Sequence, residues 1–464
     1  MSELLEHERA VAECLLASYG AAVPPAAQAV AGEHLTDLLG VMLAGAQHPS
    51  TLALLATLPA QVPAPGASAR AIGQGKSLSI QHAALFNAFA AHVDDFDDDD
   101  TLLSLSHPTV TVGAACLALC DALDLSGTAL VAAYLTGVET IMRLGPLVNP
   151  RHYLAGWHAT CTLGVVGAAA ASGLLLGLDA DRLRHALGFA ASMAAGLRSN
   201  FGSDAKPLQT GLAAAHGVMA AQMAAAGMTS TPGSLMGPAG MVSMFAGVPV
   251  AVQDFIAPFA RPFALEGVGV TIKAYPCCTC SHAAIALLMS LIADERLSAT
   301  AIARVEVSVD PATPRILIHP QATTAMEAKF SLPFSLAIAV VQGQLALQDF
   351  NDETVRRDEV RAFAQKVLTL CDDTLPKGAG GVALGCRLRL TTVDGNTFFR
   401  STDVEPGSKA WRLSHQQLAD KFVRCASASL TAAQAADVFA YALDMAALPT
   451  LRSLLAALCP DARN

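Results

Sequence analysis

The hydrophobic period of this chain changes near residue 266 and changes back near residue 406, which restricts the fold to a few layouts. Up to about residue 265 apolar residues recur at spacings of three and four. Leu35, Leu38, Leu39, Met42 and Leu43 would cover one buried face of a helix. The stretches 83–91, 110–123, 129–142, 162–178 and 211–226 repeat the pattern, separated by breakers such as Pro24-Pro25, Pro63-Ala64-Pro65-Gly66 and Pro232-Gly233. From 266 onward the period falls to two: Val268, Val270 and Ile272 alternate, as do Val305, Val307 and Val309, and then Leu388 and Leu390. Asp394-Gly395 between the last pair and 396–400 is a hairpin turn signal. Helical stretches at 283–297 and 330–344 lie among these strands, and after Pro406-Gly407 helices return at 414–426 and 431–443. The simplest layout is mainly α: a large all-helical domain built from both chain ends (1–268 and 403–464), with a smaller α+β domain (269–402) inserted into it. No internal repeat or low-complexity tail interrupts it.

Composition narrows the function classes. Of 464 residues, 53% are hydrophobic and only 15% charged, which rules out disorder over most of the chain. So few charges cover a monomer's surface poorly, and a large oligomer interface is the natural remedy. The net charge of −10 argues against nucleic acid as a partner. The start, MSELLEHERA, is acidic and amphipathic, unlike a secretory signal. The eleven cysteines are odd in number and sit mostly in apolar runs, as reduced thiols of a cytoplasmic protein do. The uncharged run 159–178 is long enough to span a membrane, but it lacks aromatic or basic anchors and reads as a core helix.

Four constellations could carry chemistry. His92 to Asp100, HVDDFDDDD, places six aspartates in seven residues, followed by His107-Pro108. Grouping them is costly without compensating cations, metal or water, and the ordinary reading is a solvated acidic helix end. Asp94, Asp95 and Asp98 also fit the DDxxD shape with which all-α terpene and prenyl synthases hold Mg²⁺-diphosphate. No second metal-binding motif follows, and the chain has few aromatics to shield a carbocation. In GWHATCTLG, His158 opens an apolar helix, whose N-terminus depresses an imidazole's pKa; a satisfied structural histidine is the plainer alternative. In FGSDAKPLQTG, Lys206 implies an anionic partner, either Asp204 or a substrate carboxylate. In IKAYPCCTCSH, Lys273, three thiols and His282 crowd together, but the CCxC spacing of Cys277, Cys278 and Cys280 does not match structural zinc, and no second ligand pair follows. No metal is expected.

Taken in order, LTDLLGVMLAG, AAHVDDFDD with HPT, HYLAGWHATCTLG, FGSDAKPLQTG, IKAYPCC, EAKFSLPF and PGS with LADKF resemble the MmgE/PrpD family, whose members include 2-methylcitrate dehydratase, cis-aconitate decarboxylase and iminodisuccinate epimerase. HYLAGWH is similar to the epimerase branch. The resemblance implies a helical domain from both termini with an α+β lid, a homodimer, and no metal or organic cofactor. It places the active site between the domains, at Asp95, His107, His158, Lys206 and Lys273. Two positions depart from the family pattern: Asp99 stands where threonine or serine is common, and Cys278 where the decarboxylase branch has histidine. Both argue against simple cis-aconitate decarboxylation.

The implied reactions share one difficulty, the gain or loss of charge at a carbon beside a carboxylate, which needs a base and a stabilised enediolate. Lys206 and Lys273 suit carboxylate clamping, with Asp99 as a further substrate contact. His107 and His158 suit proton transfer, and Asp95 would orient or charge a histidine. Cys278 is either a second acid/base beside Lys273 or a packed thiol. The expectation is a cofactor-independent lyase or isomerase of a small di- or tricarboxylate, of dehydratase or decarboxylase type, with an epimerase of an iminodisuccinate-like substrate as the alternative. Neither membrane nor nucleic acid is an expected partner.

Overall fold

The computed structural model describes residues 2–459 apart from 61, 63, 379 and 380. Its first buried core draws on residues from Val11 to Ile272 and again from Leu418 to Leu458. Six helices dominate it: Pro25–Gly45, Ile80–His92, Pro108–Leu123, Gly127–Val148, Gly164–Leu175 and Ala205–Ala225. Pro25 and Pro108 each stand in a first turn, where a missing N–H removes no helical bond. The abundance of small residues has a direct packing consequence at the crossing of Gly127–Val148 with Gly164–Leu175. A Cβ on Gly137 would lie 2.8 Å from the Gly167 oxygen, and one on Gly167 2.7 Å from the Gly137 oxygen. The two backbones therefore touch.

The C-terminal helices His415–Ala426 and Ala432–Leu443 start at capping boxes, Ser414 with Gln417 and Thr431 with Gln434. They join the N-terminal core: Phe422 packs over Gly40, and the buried Lys421 ammonium lies 2.7 Å from Asp37 and donates to the Phe96 oxygen at 2.9 Å.

The second core runs from Cys277 to Leu390 and belongs to an α+β portion inserted in this helical frame. A hairpin of β1 (Ser68–Ala71) and β2 (Lys76–Ser79) decorates the helical part. The inserted sheet comprises β3 (Ile302–Val309), β4 (Val367–Cys371), β5 (Cys386–Thr392) and β6 (Thr397–Thr402), in the order β4-β3-β5-β6. β3 runs parallel to β4 and antiparallel to β5, and β5 pairs antiparallel with β6. Val305 faces Leu390 and Val307 faces Leu388, all four buried under the helices His282–Asp294 and Leu332–Gln342. Gly395 turns the β5–β6 hairpin at φ +88°, a conformation that favours glycine.

The mainly α fold with a smaller inserted α+β portion is thus the observed one, with local corrections. The alternating stretch Val268 to Ile272 forms no strand. Val270 and Ile272 pack into the first core, and the stretch pairs for one residue, Thr271 exchanging both backbone bonds with Asp99 at 2.9 Å. β4 was not foreseen: it is an edge strand with Leu368 and Leu370 partly exposed, so its apolar pattern is weak. The uncharged run 159–178 is broken at Leu163 into Ala159–Thr162 and Gly164–Leu175, both buried. Among the described residues no single helix is long and apolar enough to cross a membrane.

Candidate active site

The helix Ile80–His92 ends where the aspartate run begins, and the chain does not leave into solvent. Asp95 takes a left-handed backbone conformation, φ 54°, and turns its carboxylate inward. Asp95, Asp97, Asp98 and Asp100 are all buried. The reading as a solvated helix end is therefore overturned. The cost of burying the run is met residue by residue. Asp94 pairs with Lys329 at 2.8 Å, and Asp95 with Lys206 at 2.5 Å and Lys273 at 3.0 Å. Asp97 accepts from His92 at 2.9 Å and meets His107 at 3.3 Å. Asp98 pairs with His34 at 2.6 Å and accepts from the Thr109 hydroxyl. Asp100 accepts from the Leu102, Leu103 and Ser104 amides and the Ser104 hydroxyl, closing the loop that leads to His107. Asp94, Asp95 and Asp98 thus serve three separate partners rather than one shared metal face, and the DDxxD reading does not hold.

One cavity, of about 640 Å³ with its open mouth, lies between the helical part and the inserted part. Asp95, Asp99, His107, His158, Lys206, Lys273 and Cys278 all line it. Phe201, Phe330, Leu105, Ile316 and Leu384 add apolar wall. Lys206 enters on the second residue of the helix Ala205–Ala225, at the positive end of its dipole, so it depends on Asp95 for compensation. The alternative partner, Asp204, is elsewhere and accepts from Ser50. Lys273 follows the Thr271 bridge and also donates to the Asp95 backbone oxygen at 2.9 Å. Burial would raise the Asp95 carboxyl, but the two ammonium groups outweigh it and hold it well below the usual carboxylate range. Lys273 behaves reciprocally: burial disfavours its charge, and Asp95 more than restores it.

The two cavity histidines are set apart by their surroundings. His107 stands just before the helix Pro108–Leu123, with Nδ1 2.7 Å from the Asp98 backbone oxygen. A carbonyl only accepts, so Nδ1 carries the proton and Nε2 is the free nitrogen. Burial lowers the pKa of this ring, but Asp97 and Asp99 outweigh it and raise the value above the ordinary one. His158 presents Nδ1 to Gln209 Oε1 at 2.9 Å, while the Gln209 amide nitrogen donates to Leu197. Its Nε2 is buried and has no hydrogen-bond partner. Burial, reinforced by Lys206, pushes His158 well below the usual imidazole range, so it is a neutral ring with an open lone pair. One imidazole favours holding a proton and the other favours accepting one.

Asp95 does not touch an imidazole, contrary to the orienting role expected for it. Asp97 fills that place, bridging His92 and His107, whose rings meet edge to face at 4.6 Å. Asp97, His92, Gln209 and the cavity residue Tyr153 were missed. Only Asp97 and His92 carried a signal, both lying in the acidic run. His92, Asp97 and His107 offer ligand atoms within 4.8 Å of one another. Hydrogen bonding accounts for that grouping, since both Nδ1 atoms face Asp97 and the His107 Nδ1 must carry a proton to meet the Asp98 carbonyl. Cys278 lines the cavity from the inserted part, and a hydrogen bond from the Cys280 thiol lowers its pKa despite burial.

Two lobes, with buried lysines and histidines facing a cavity between them, frame a candidate active site, and comparison with known proteins shows the family of enzymes it belongs to. Residues 10–252 match the MmgE/PrpD N-terminal domain and residues 275–445 the MmgE/PrpD C-terminal domain: the chain belongs to the MmgE/PrpD family. It is 29% identical to the cis-aconitate decarboxylase of Homo sapiens, over 75% of this chain and 73% of that protein. It is 27% identical to the cis-aconitate decarboxylase of Aspergillus terreus, over 74% of each chain.

Proposed function

We propose that this cavity performs cofactor-independent acid–base chemistry at the carbon beside a carboxylate of a small di- or tricarboxylic acid, as a lyase of dehydratase or decarboxylase type. The observation that carries this reading is the opposed state of His107 and His158 beside the Lys206–Asp95–Lys273 triad. In this reading Lys206 and Lys273 hold a substrate carboxylate and oppose the negative charge of an enediolate. Asp95 keeps both lysines charged in a dry site. The His158 Nε2 takes the proton, and protonated His107 delivers one to the leaving group or to the developing carbanion. Asp97 fixes the His107 tautomer. The inserted portion, residues 269–402, acts as the lid that supplies Lys273 and Cys278. The similarity to cis-aconitate decarboxylases supports the substrate class.

An epimerase acting on an iminodisuccinate-like substrate is favoured by a different observation. Cys278, with its lowered pKa, comes from the other lobe than the two histidines, which suits proton removal and return by separate groups. A panel of di- and tricarboxylates followed by NMR separates the two readings. Loss of water or CO₂ marks the lyase, whereas interconversion of enantiomers without loss of mass marks the epimerase. No turnover of any member would refute both.

A further inference from the structure

Three consecutive peptide oxygens in the aspartate run are each held by a buried ammonium group. Lys329 donates to the Asp94 oxygen at 2.7 Å, Lys273 to the Asp95 oxygen at 2.9 Å and Lys421 to the Phe96 oxygen at 2.9 Å. The helix Ile80–His92 has ended by then, and among the described residues no backbone amide donates to any of the three oxygens. Left without donors in so buried a turn, they would oppose the fold. The lysines come from three parts of the chain, and each also meets a carboxylate: Asp94, Asp95 and Asp37 in turn. This turn sets Asp95 between its two lysines and delivers Asp97 to His107, 3.3 Å away.

Lys273 lines the cavity and Lys421 secures the C-terminal helices, but Lys329 does neither. It stands in EAKFSLPF of the inserted portion, where its neighbours Ala328 and Phe330 belong to the second core. Its side chain lines a separate open groove together with Asp94 and does not reach the cavity. Its backbone oxygen accepts from the Cys278 amide at 3.0 Å, and the next residue, Phe330, is cavity wall with its ring 5.4 Å from the Lys206 ammonium. One residue thus touches the Asp95 turn with its side chain and the Cys278 turn with its backbone, while making no contact with a ligand in the cavity.

We infer that Lys329 is a positioning residue for the acid–base site: its grip on Asp94 holds the turn 94–97 so that Asp97 reaches His107, which ties the state of His107 to the seating of the inserted portion. This rests on the reading of His107 as the proton-holding group. The titratable groups about His107 are Asp95, Asp97 and Asp99, Lys273, His92 and His158. Lys329 acts on it through the turn, and the sign of the effect separates this from simple charge. Removing a cation by its charge alone raises the proton affinity of an imidazole or leaves it unchanged, whereas letting Asp97 drift away lowers it.

Histidine titration by NMR on imidazole-labelled full-length protein tests this without any substrate, the His107 signal being identified by its loss in His107→Gln. In the wild type His107 should titrate above the ordinary imidazole value of about 6.5. In Lys329→Met its proton affinity should fall about threefold or more, a fraction of the roughly one to three pH units that a close opposite charge commands. His152, which packs on Trp157 and Phe245, should keep its midpoint of about 4 and so report that the variant is folded. A rise or no change at His107 in folded Lys329→Met would overturn the positioning role alone. If that variant does not keep the His152 signal, Lys329→Ala decides. There n-propylammonium, the missing part of the side chain, should enter through the groove and raise the His107 midpoint, whereas tetramethylammonium, a cation with no N–H to donate, should not. No rise with n-propylammonium, or an equal rise with both, would overturn the proposal. A wild-type His107 that titrates at or below the ordinary value would overturn the proton-holding reading of His107 and the proposal with it.

Discussion

Lys273 grips Asp95 twice, with its ammonium 3.0 Å from the carboxylate and 2.9 Å from the backbone oxygen of the same residue. One contact compensates charge and the other locks a left-handed turn in the chain. Lys273 directly follows Ile272, the last first-core residue before the second core begins at Cys277, so this grip sits where the chain passes from the helical part to the inserted part.

Asp95→Asn should therefore destabilise the protein severely, leaving two buried ammonium groups without their anion. Removal of one member of a buried charge set costs on the order of 3–5 kcal/mol. Chemical denaturation of the variant checks this, and a loss below about 1 kcal/mol would mean that the triad is more hydrated than its burial indicates.

Asp97→Asn should move the pH profile rather than only lower it. His107 owes its raised pKa first to Asp97, working against burial. Without that carboxylate the acid form of His107 is lost at lower pH, so the alkaline limb of kcat/KM should shift toward acid. A limb that stays in place in this variant would exclude His107 as the group it reports.

Stability should fall with pH through a defined window. His92 and His152 are held neutral by burial, with pKa values lowered to about 4. In the unfolded chain they titrate near 6.5, so between these values the unfolded state binds more protons and stability rises with pH. The thermal midpoint should thus drop as pH falls from about 6.5 toward about 4, with the Asp95 and Asp97 carboxylates adding their loss only below that range. A flat midpoint over the window would contradict the buried neutral imidazoles.

Prolonged EDTA treatment should leave turnover intact, because hydrogen bonding accounts for the His92–Asp97–His107 grouping. Activity lost with the chelator and restored by a divalent cation would reassign that cluster as a metal site.

The sequence placed the elements and the cavity-lining residues better than it placed their pairings. Apolar spacing around Leu35 to Leu43 and around Val305 to Val309 reports burial directly, so the helices and β3 could be read from it. Val268 to Ile272 alternates equally well but has a partner at Thr271 only, and alternation alone does not supply a neighbouring strand. Asp95 and Asp97 are two residues apart, and which one meets the histidines is decided by the positive φ at Asp95, which no local pattern reveals. Gln209 sets the state of His158 from 51 residues away in the chain, a relation that exists only once the helices pack.

Deuterium transfer to carbon is the most direct measurement of the chemistry proposed for this cavity. Turnover of the substrate in D₂O should replace or remove the hydrogen on the carbon beside a carboxylate, as seen by NMR: deuterium enters there on decarboxylation or epimerisation, and the hydrogen is lost to solvent on dehydration. His107→Gln should slow that exchange by a factor of roughly 10²–10⁴ while binding changes little. Turnover in which that hydrogen is neither lost nor replaced by deuterium, or exchange at the wild-type rate in both His107→Gln and His158→Gln, would contradict acid–base catalysis by these two imidazoles.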